Sequence, residues 1–370
     1  MILDRRRFIA PLALVPALIG CHASPPPFDP AALAAVTGDP APAGREDLAR
    51  AINALFTDPQ AGETRALIVF HDGQRVAERF GAGYGPQTRF ISWSMAKSVT
   101  GVLIGMLVSD GRLRLDDPVP IPLWQRPGDP RGEITLRQLL QMRSGLRHVE
   151  AGKPEYRSDE VRMLFLDGRD DMARYAESQP LQFDAGSKWV YSTNTSVILA
   201  DLAARVLAPG GDAEARRRAV LDYLHNRLFD PVGMRSAVPE FDAAGTMVGG
   251  SAIHASAADW ARFGEFLRNH GVAGGVRLVP RQWIDFMTAP SPREAQYGAQ
   301  IWLNRRPTIG APSLFPDMGP ADLFACEGHL GQYVLVSPSR RLVVVRLGMT
   351  PEDRLDAVTA HLGQIVARFR

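Results

Sequence analysis

Lysine is nearly missing from this chain: among 42 Lys+Arg there are three lysines, Lys97, Lys153 and Lys188. Arginine carries the rest of the basic charge, and arginine stays protonated in a protein, whereas a buried lysine can be brought to a proton-accepting state. Cysteine is scarcer still, with only Cys21 and Cys326, which excludes a disulfide scaffold. Charge of one sign is absent as well. A formal charge of +2 over 370 residues gives no electrostatic case for binding nucleic acid. No apolar run reaches the roughly 20 residues that a membrane-spanning helix needs. The eight histidines form no His-x-His or His-Glu-x-x-His pattern, so neither a metal nor another cofactor is expected. There is no Gly-x-Ser-x-Gly nucleophile elbow and no internal repeat. What is present is a globular composition, 45% hydrophobic and 22% charged, in a chain long enough for a large core.

The N-terminus reads as a targeting segment. Arg5, Arg6 and Arg7 precede a short apolar stretch from Phe8 to Gly20, too short to span a bilayer. Arg5-Arg6-Arg7-Phe8-Ile9 resembles a twin-arginine export signal, and Leu18-Ile19-Gly20-Cys21 resembles a bacterial lipobox. Residues 1–20 are then a signal peptide and 21–44 a flexible tether lipidated at Cys21, running through Pro25-Pro26-Pro27. On this reading the protein is exported to the periplasmic side and touches membrane only through its anchor. A lipidated Cys21 leaves Cys326 without a partner. In the apolar stretch Leu323-Phe324-Ala325-Cys326, Cys326 reads as a small buried hydrophobe.

Ser94-Met95-Ala96-Lys97 places one of the three lysines three residues after a serine. On a helix, positions i and i+3 share a face, so the amine can reach the hydroxyl as the base of a Ser–Lys nucleophile. The four residues alone read equally well as a helix start with a capping serine and a solvated lysine.

The coarse pattern is helix, hairpin, large helical middle, hairpin, helix. Residues 45–56 have helical spacing, and Ala66–Phe70 and Arg75–Phe80 flank the hairpin signal Asp72-Gly73. Ser94–Val108 is apolar on most sides and reads as a buried helix. Further helices are expected at Thr135–Arg143, Ser196–Val206, Ala258–Asn269 and Arg281–Met287. Tyr333–Val336 and Leu342–Leu347 read as a second hairpin, and Asp353–Phe369 as a closing amphipathic helix. A sheet built from both chain ends, with a helical insertion, is the simplest packing.

Two later segments carry chemistry. Tyr191-Ser192-Thr193-Asn194 is a turn-like cluster of polar groups. Gly328-His329-Leu330-Gly331-Gln332 sets a histidine between glycines at the edge of a strand, where the backbone must be closely approached. Ser-x-x-Lys, then Tyr with a nearby Asn, then His-x-Gly at a strand stand in the order of the serine β-lactamase and penicillin-binding-protein superfamily, and the chain resembles it. The likeness is to class C β-lactamases and their related esterases and 6-aminohexanoate-dimer hydrolases. Leu139–Leu146, Leu228–Met234 and Asp259–Gly264 resemble further family segments, and the resemblance covers about residues 45 to 367.

The resemblance implies an α+β fold of the β-lactamase/transpeptidase type: an antiparallel sheet flanked by helices, with a large helical subdomain inserted. Residues 45–92 and 323–370 would form the sheet part and 93–322 the helical part. It implies a serine hydrolase that forms an acyl-enzyme on Ser94 and releases it with water. Lys97 would ease deprotonation, Tyr191 would be base and proton shuttle, and His329 would stand where relatives have lysine. The backbone N–H groups of Ser94 and Gln332 would form the oxyanion hole, with Asn194 and Gly331 at the substrate. Asn194 lies one residue too late for Tyr-x-Asn, so either Thr193 takes that place or a bulge restores Asn194. Histidine is a weaker anchor than lysine for a substrate carboxylate, which favours a small-molecule ester or amide over a β-lactam. The alternatives are a class C-type β-lactamase or D-alanyl-D-alanine carboxypeptidase, and a penicillin-binding sensor that acylates without turnover. Oligomeric state is not legible.

Overall fold

The structure is a computed structural model that describes residues 30–307 and 310–370. The expected signal peptide and Cys21 lie outside the described residues.

A six-stranded antiparallel sheet is the frame. Its strands are β1 (Glu63–His71), β2 (Gln74–Phe80), β3 (Trp302–Leu303), β4 (Phe324–Gly328), β5 (Gln332–Ser337) and β6 (Leu342–Met349). They lie in the order β2-β1-β6-β5-β4-β3. The apolar run Leu342-Val343-Val344-Val345 takes the centre, where both faces of the sheet are covered. Asp72 and Gly73, with φ of 52° and 75°, make the β1–β2 turn, as their residue types foretell.

Alternation along the strands splits the core. Leu67, Val69, Leu335 and Val344 face α1 (Arg45–Thr57) and the closing helix Leu355–Ala367, which pack together through Leu48, Ile52, Leu362 and Ile365. Ile68, Val334, Val343 and Val345 face the helical middle. There Ala257–Arg268 lies so close that a Cβ on Gly264 would sit 2.6 Å from Val343 Cγ1. Residues 30–44, expected to belong to a free tether, instead pack onto the α1 face. Ala32, Ala35, Val36 and Ala43 are buried, and Val36 bridges to Ala77. Their alanines and valine supply the apolar surface that a solvated tether lacks.

Behind the sheet, α2 (Ala96–Ser109) is buried on all sides through Leu107, as its apolar sequence requires, and it ends at Gly111 with φ 72°. The Thr135 side chain caps Leu136–Leu140 in a reciprocal box with Gln138. A small second sheet joins Arg89–Ile91 to Ile253–Ser256, fixing the segment that leads into Ser94. Cys326 is 1% exposed on β4, and burial pushes its thiol up to about 12.

Candidate active site

Ser94 sits in a one-turn 3-10 helix, Trp93–Met95, that runs straight into α2. Trp93 takes φ 44°, a costly conformation for a bulky residue, and so turns Ser94 out at the head of the helix. Strand β4 presses on this turn: a Cβ on Gly328 would meet the Ser92 carbonyl oxygen at 2.4 Å. The glycine was legible as a place of close approach, and what approaches is the nucleophile's own turn.

Lys97 is 2% exposed. Its Nζ lies 2.9 Å from Ser94 Oγ, 2.8 Å from Thr193 Oγ1 and 2.9 Å from the Gly250 carbonyl oxygen. The Gly250 carbonyl can only accept. Thr193 Oγ1 must accept too, because its one hydrogen is directed to Glu150 Oε1 at 2.5 Å. A neutral Lys97 therefore uses both hydrogens on these two oxygens, and its lone pair faces Ser94. Burial lowers the Lys97 pKa, while the charges of Glu150 and Glu160 raise it.

Thr193 is the first residue of α4 (Thr193–Leu207), and the short helix α3 (Asp159–Phe165), earlier in the chain, lines the cleft. The Ser192 side chain caps α4 by accepting from Thr195 N–H at 3.1 Å. The expected start at Ser196 is thus three residues late. Starting at Thr193 leaves its N–H without an intrahelical acceptor, and it donates to Glu150 Oε2 at 2.6 Å. Thr193 stands two residues after Tyr191 beside Lys97, so it takes the place expected for asparagine. Asn194 is corrected: it is fully buried, with Nδ2 3.4 Å from the Asp159 carbonyl oxygen, because the helix turns it away from the cleft.

The Ser94 hydroxyl acts on the Tyr191 phenol, and the Tyr191 ring centre is 4.9 Å from Lys97 Nζ. Burial, then Tyr297 and Glu150, push its phenol well above the ordinary range. A phenol held up in this way gives up its proton reluctantly, which counts against the base role expected of Tyr191. His329 also departs from expectation. Its side chain is 48% exposed, 3.7 Å from Glu352, and packs edge-on against Trp93. It lines the cleft but does not join the Ser94–Lys97 network.

The cleft encloses about 480 Å³ and takes Gly328, His329 and Leu330 from the β4–β5 turn, not Gly331 or Gln332. Gln332 is turned away, its amide donating to the Ile91 carbonyl at 2.7 Å. Gly331, with φ 75°, gives its carbonyl to Arg346 Nη1 at 2.7 Å. That buried guanidinium also binds the Leu330 and Ala61 carbonyls and so pins the turn. These contacts involve the Gln332 side chain and the Gly331 carbonyl and leave the expected Gln332 backbone N–H untouched. The N–H of Ser94 lies in the first turn of its helix, and that of His329 has no acceptor among the described residues.

Sequence reasoning missed the carboxylates. Glu150, Glu155, Glu160, Glu327 and Glu352 line the cleft. Burial raises Glu150 and Glu327 to about 7 each. Glu327 accepts from Ser313 Oγ at 2.6 Å. No local spacing announces these residues, since loops between the motifs deliver them. Trp302 and Tyr191 form aromatic walls, whereas Tyr297 packs beneath them and Phe315 lies in the core on the α1 face.

The family model described as Beta-lactamase matches residues 52–367. The chain belongs to the Beta-lactamase family. This family member is 24% identical over 305 residues to the 6-aminohexanoate-dimer hydrolase of Paenarthrobacter ureafaciens, covering 78% of this chain and 73% of that protein. It shares its fold with a family VIII carboxylesterase, at 17% identity and TM-score 0.66, over 90% of this chain and all of the other. It shares it also with a D-stereospecific amidohydrolase from Streptomyces, at 19% identity and TM-score 0.58, over 85% and 97% of the two chains. The β-lactamase/transpeptidase fold expected from the sequence is thus the one found, and the protein is a hydrolase of that family.

Proposed function

We propose that this hydrolase opens an ester or amide bond of a small molecule through an acyl-enzyme on Ser94. The observation that carries this reading is the position of Lys97 Nζ, 2.9 Å from Ser94 Oγ and held by two acceptor oxygens, which directs the lone pair of its amine form at Ser94. Lys97 takes the hydroxyl proton as Oγ bonds to the carbonyl carbon. The carbonyl electron pair moves onto oxygen, where the Ser94 and His329 N–H groups receive it. The proton then leaves with the departing alcohol or amine by way of the Tyr191 phenol. Water releases the acyl group in a second, equivalent cycle.

The electrostatics of the cleft favour one side of the alternatives. Five carboxylates and one exposed histidine line it, and Lys97 lies beneath, enclosed by Glu150 and Glu160. A substrate carboxylate, which β-lactams and peptidoglycan stems present, would meet like charge there. Neutral or amine-bearing esters and amides fit better. The test is a side-by-side comparison of nitrocefin with p-nitrophenyl esters whose acyl chains end in a methyl, an ammonium or a carboxylate. Turnover of the first two esters over the rest is expected. Preference for nitrocefin or the anionic ester defeats the substrate reading, and one equivalent of product followed by arrest supports the non-turnover sensor instead. Export and a lipid anchor at Cys21 complete the proposal. Cys21→Ser should move the protein from the membrane to the soluble fraction, and an unchanged distribution rejects the anchor.

A further inference from the structure

The helix start at Thr193 puts a hydroxyl between Lys97 and a buried carboxylate. Lys97 Nζ is 2.8 Å from Thr193 Oγ1, and Thr193 Oγ1 is 2.5 Å from Glu150 Oε1. The Thr193 N–H holds the other Glu150 oxygen at 2.6 Å, so the carboxylate cannot swing away. Glu160 Oε1 lies 3.2 Å from the same hydroxyl oxygen. One hydroxyl hydrogen cannot serve two carboxylates. The shorter contact, to Glu150, claims it.

From this chain of contacts we propose that Glu150 is a positioning residue that receives the resting proton of Lys97 through the Thr193 hydroxyl. The inference rests on Ser94 being the nucleophile. The step balances without any other reactant. The Lys97 ammonium gives a proton to Thr193 Oγ1 while the Thr193 hydroxyl proton passes to Glu150 Oε1. One N–H and one O–H bond break, two O–H bonds form, and an ammonium–carboxylate pair becomes an amine–carboxylic acid pair. Net charge in the buried site does not change, so the exchange avoids leaving an isolated charge out of water. An asparagine side chain in the Thr193 place could not conduct a proton in this way, since it has no hydroxyl to accept one and donate another. The raised range of Glu150 and the lowered range of Lys97 bring the two groups toward each other.

The exchange has a signature in pH. Moving a proton within the pair takes none from solution, so the amine form persists at pH values where an isolated lysine would be fully charged. The other titratable groups facing the relay are Tyr191 and Tyr297 around Glu150, Glu352 facing Glu160, and Glu327 near Tyr191; His329 lines the same cleft. All of them remain in every variant compared below.

The test measures the rate of fluorophosphonate labelling, and kcat/KM for a neutral p-nitrophenyl ester, from mildly acidic to alkaline pH. The proteins are wild type, Glu150→Gln, Thr193→Val and Thr193→Ser. Wild type should hold a plateau through neutrality. Glu150→Gln and Thr193→Val should fall by about tenfold per pH unit toward acid and rejoin wild type at the alkaline end. Thr193→Ser should restore most of the plateau. A Glu150→Gln profile that matches wild type, or moves to lower pH, overturns the proposal. Movement to lower pH is what losing a negative neighbour of Lys97 would do by charge alone. Equal profiles for Thr193→Val and Thr193→Ser overturn it as well, and that pair decides the matter if Glu150→Gln fails to fold. No labelling of wild type at any pH would instead defeat the reading of Ser94.

Discussion

Replacing Lys97 with arginine keeps the positive charge and removes the base. The site has no slack for the change. Lys97 is 2% exposed, and three oxygens lie 2.8 to 2.9 Å from its nitrogen. A planar guanidinium has no lone pair to offer Ser94 and cannot be deprotonated in a protein. General base catalysis contributes about 10²- to 10⁴-fold, so Lys97→Arg should lose at least about 10²-fold in kcat/KM. The added volume should also cost about 1–3 kcal/mol of stability by overpacking. Lys97→Ala separates the two effects, since it has no bulk to accommodate and equally no base. The assay is p-nitrophenol release from a short-chain ester, with thermal melts to confirm folding. Both variants should be inactive to a similar degree while remaining folded. An arginine variant within about tenfold of wild type would show that charge alone suffices, and would refute the base role.

Two further outcomes follow from the same contacts. A Cβ at position 250 would lie 2.8 Å from Thr193 Cγ2 and 2.9 Å from the Thr193 carbonyl oxygen. Gly250→Ala should therefore push its carbonyl off Lys97, lowering kcat/KM by about tenfold or more with a loss of about 1–3 kcal/mol in a denaturant titration. Glu177, 3% exposed and away from the cleft, is pushed up to about 8 by burial and then by Asp201. A carboxyl raised in the folded state adds stability below its unfolded pKa, and that stability is lost as pH rises toward the folded value. Wild type should therefore weaken relative to Glu177→Gln between about pH 5 and 9, by about 2 kcal/mol or more, as read from melting curves across that range.

The frame of the fold was legible because its signals are local. The hairpin at Asp72-Gly73, the apolar helix after Ser94, the apolar run at Leu342 and the Thr135 cap all appear where residue chemistry places them. Strand β4 was not legible. Phe324-Ala325-Cys326-Glu327-Gly328 contains a carboxylate and a glycine, both poor strand formers, and forms because β5 and β3 flank it. Within the site, Ser94, Lys97 and Tyr191 could be named from spacing and order. Thr193 could have been settled by reading Ser192 as the cap, which puts Thr193 rather than Asn194 at the first helical position. Glu150, Glu160 and Glu327 had no such signal, for they meet Lys97 and Tyr191 only through the folded path of the chain. His329 was found by motif, but its exposed ring lies at the cleft wall and outside the Ser94–Lys97 contacts.

The acyl-enzyme itself is the most direct test. The intact enzyme is reacted with a fluorophosphonate, and the modified peptide is then mapped by mass spectrometry, with Ser94→Ala alongside. One adduct per chain on the peptide holding Ser94, together with loss of both adduct and ester turnover in Ser94→Ala, is the predicted result. An adduct on another residue, or undiminished turnover by Ser94→Ala, would contradict the assignment.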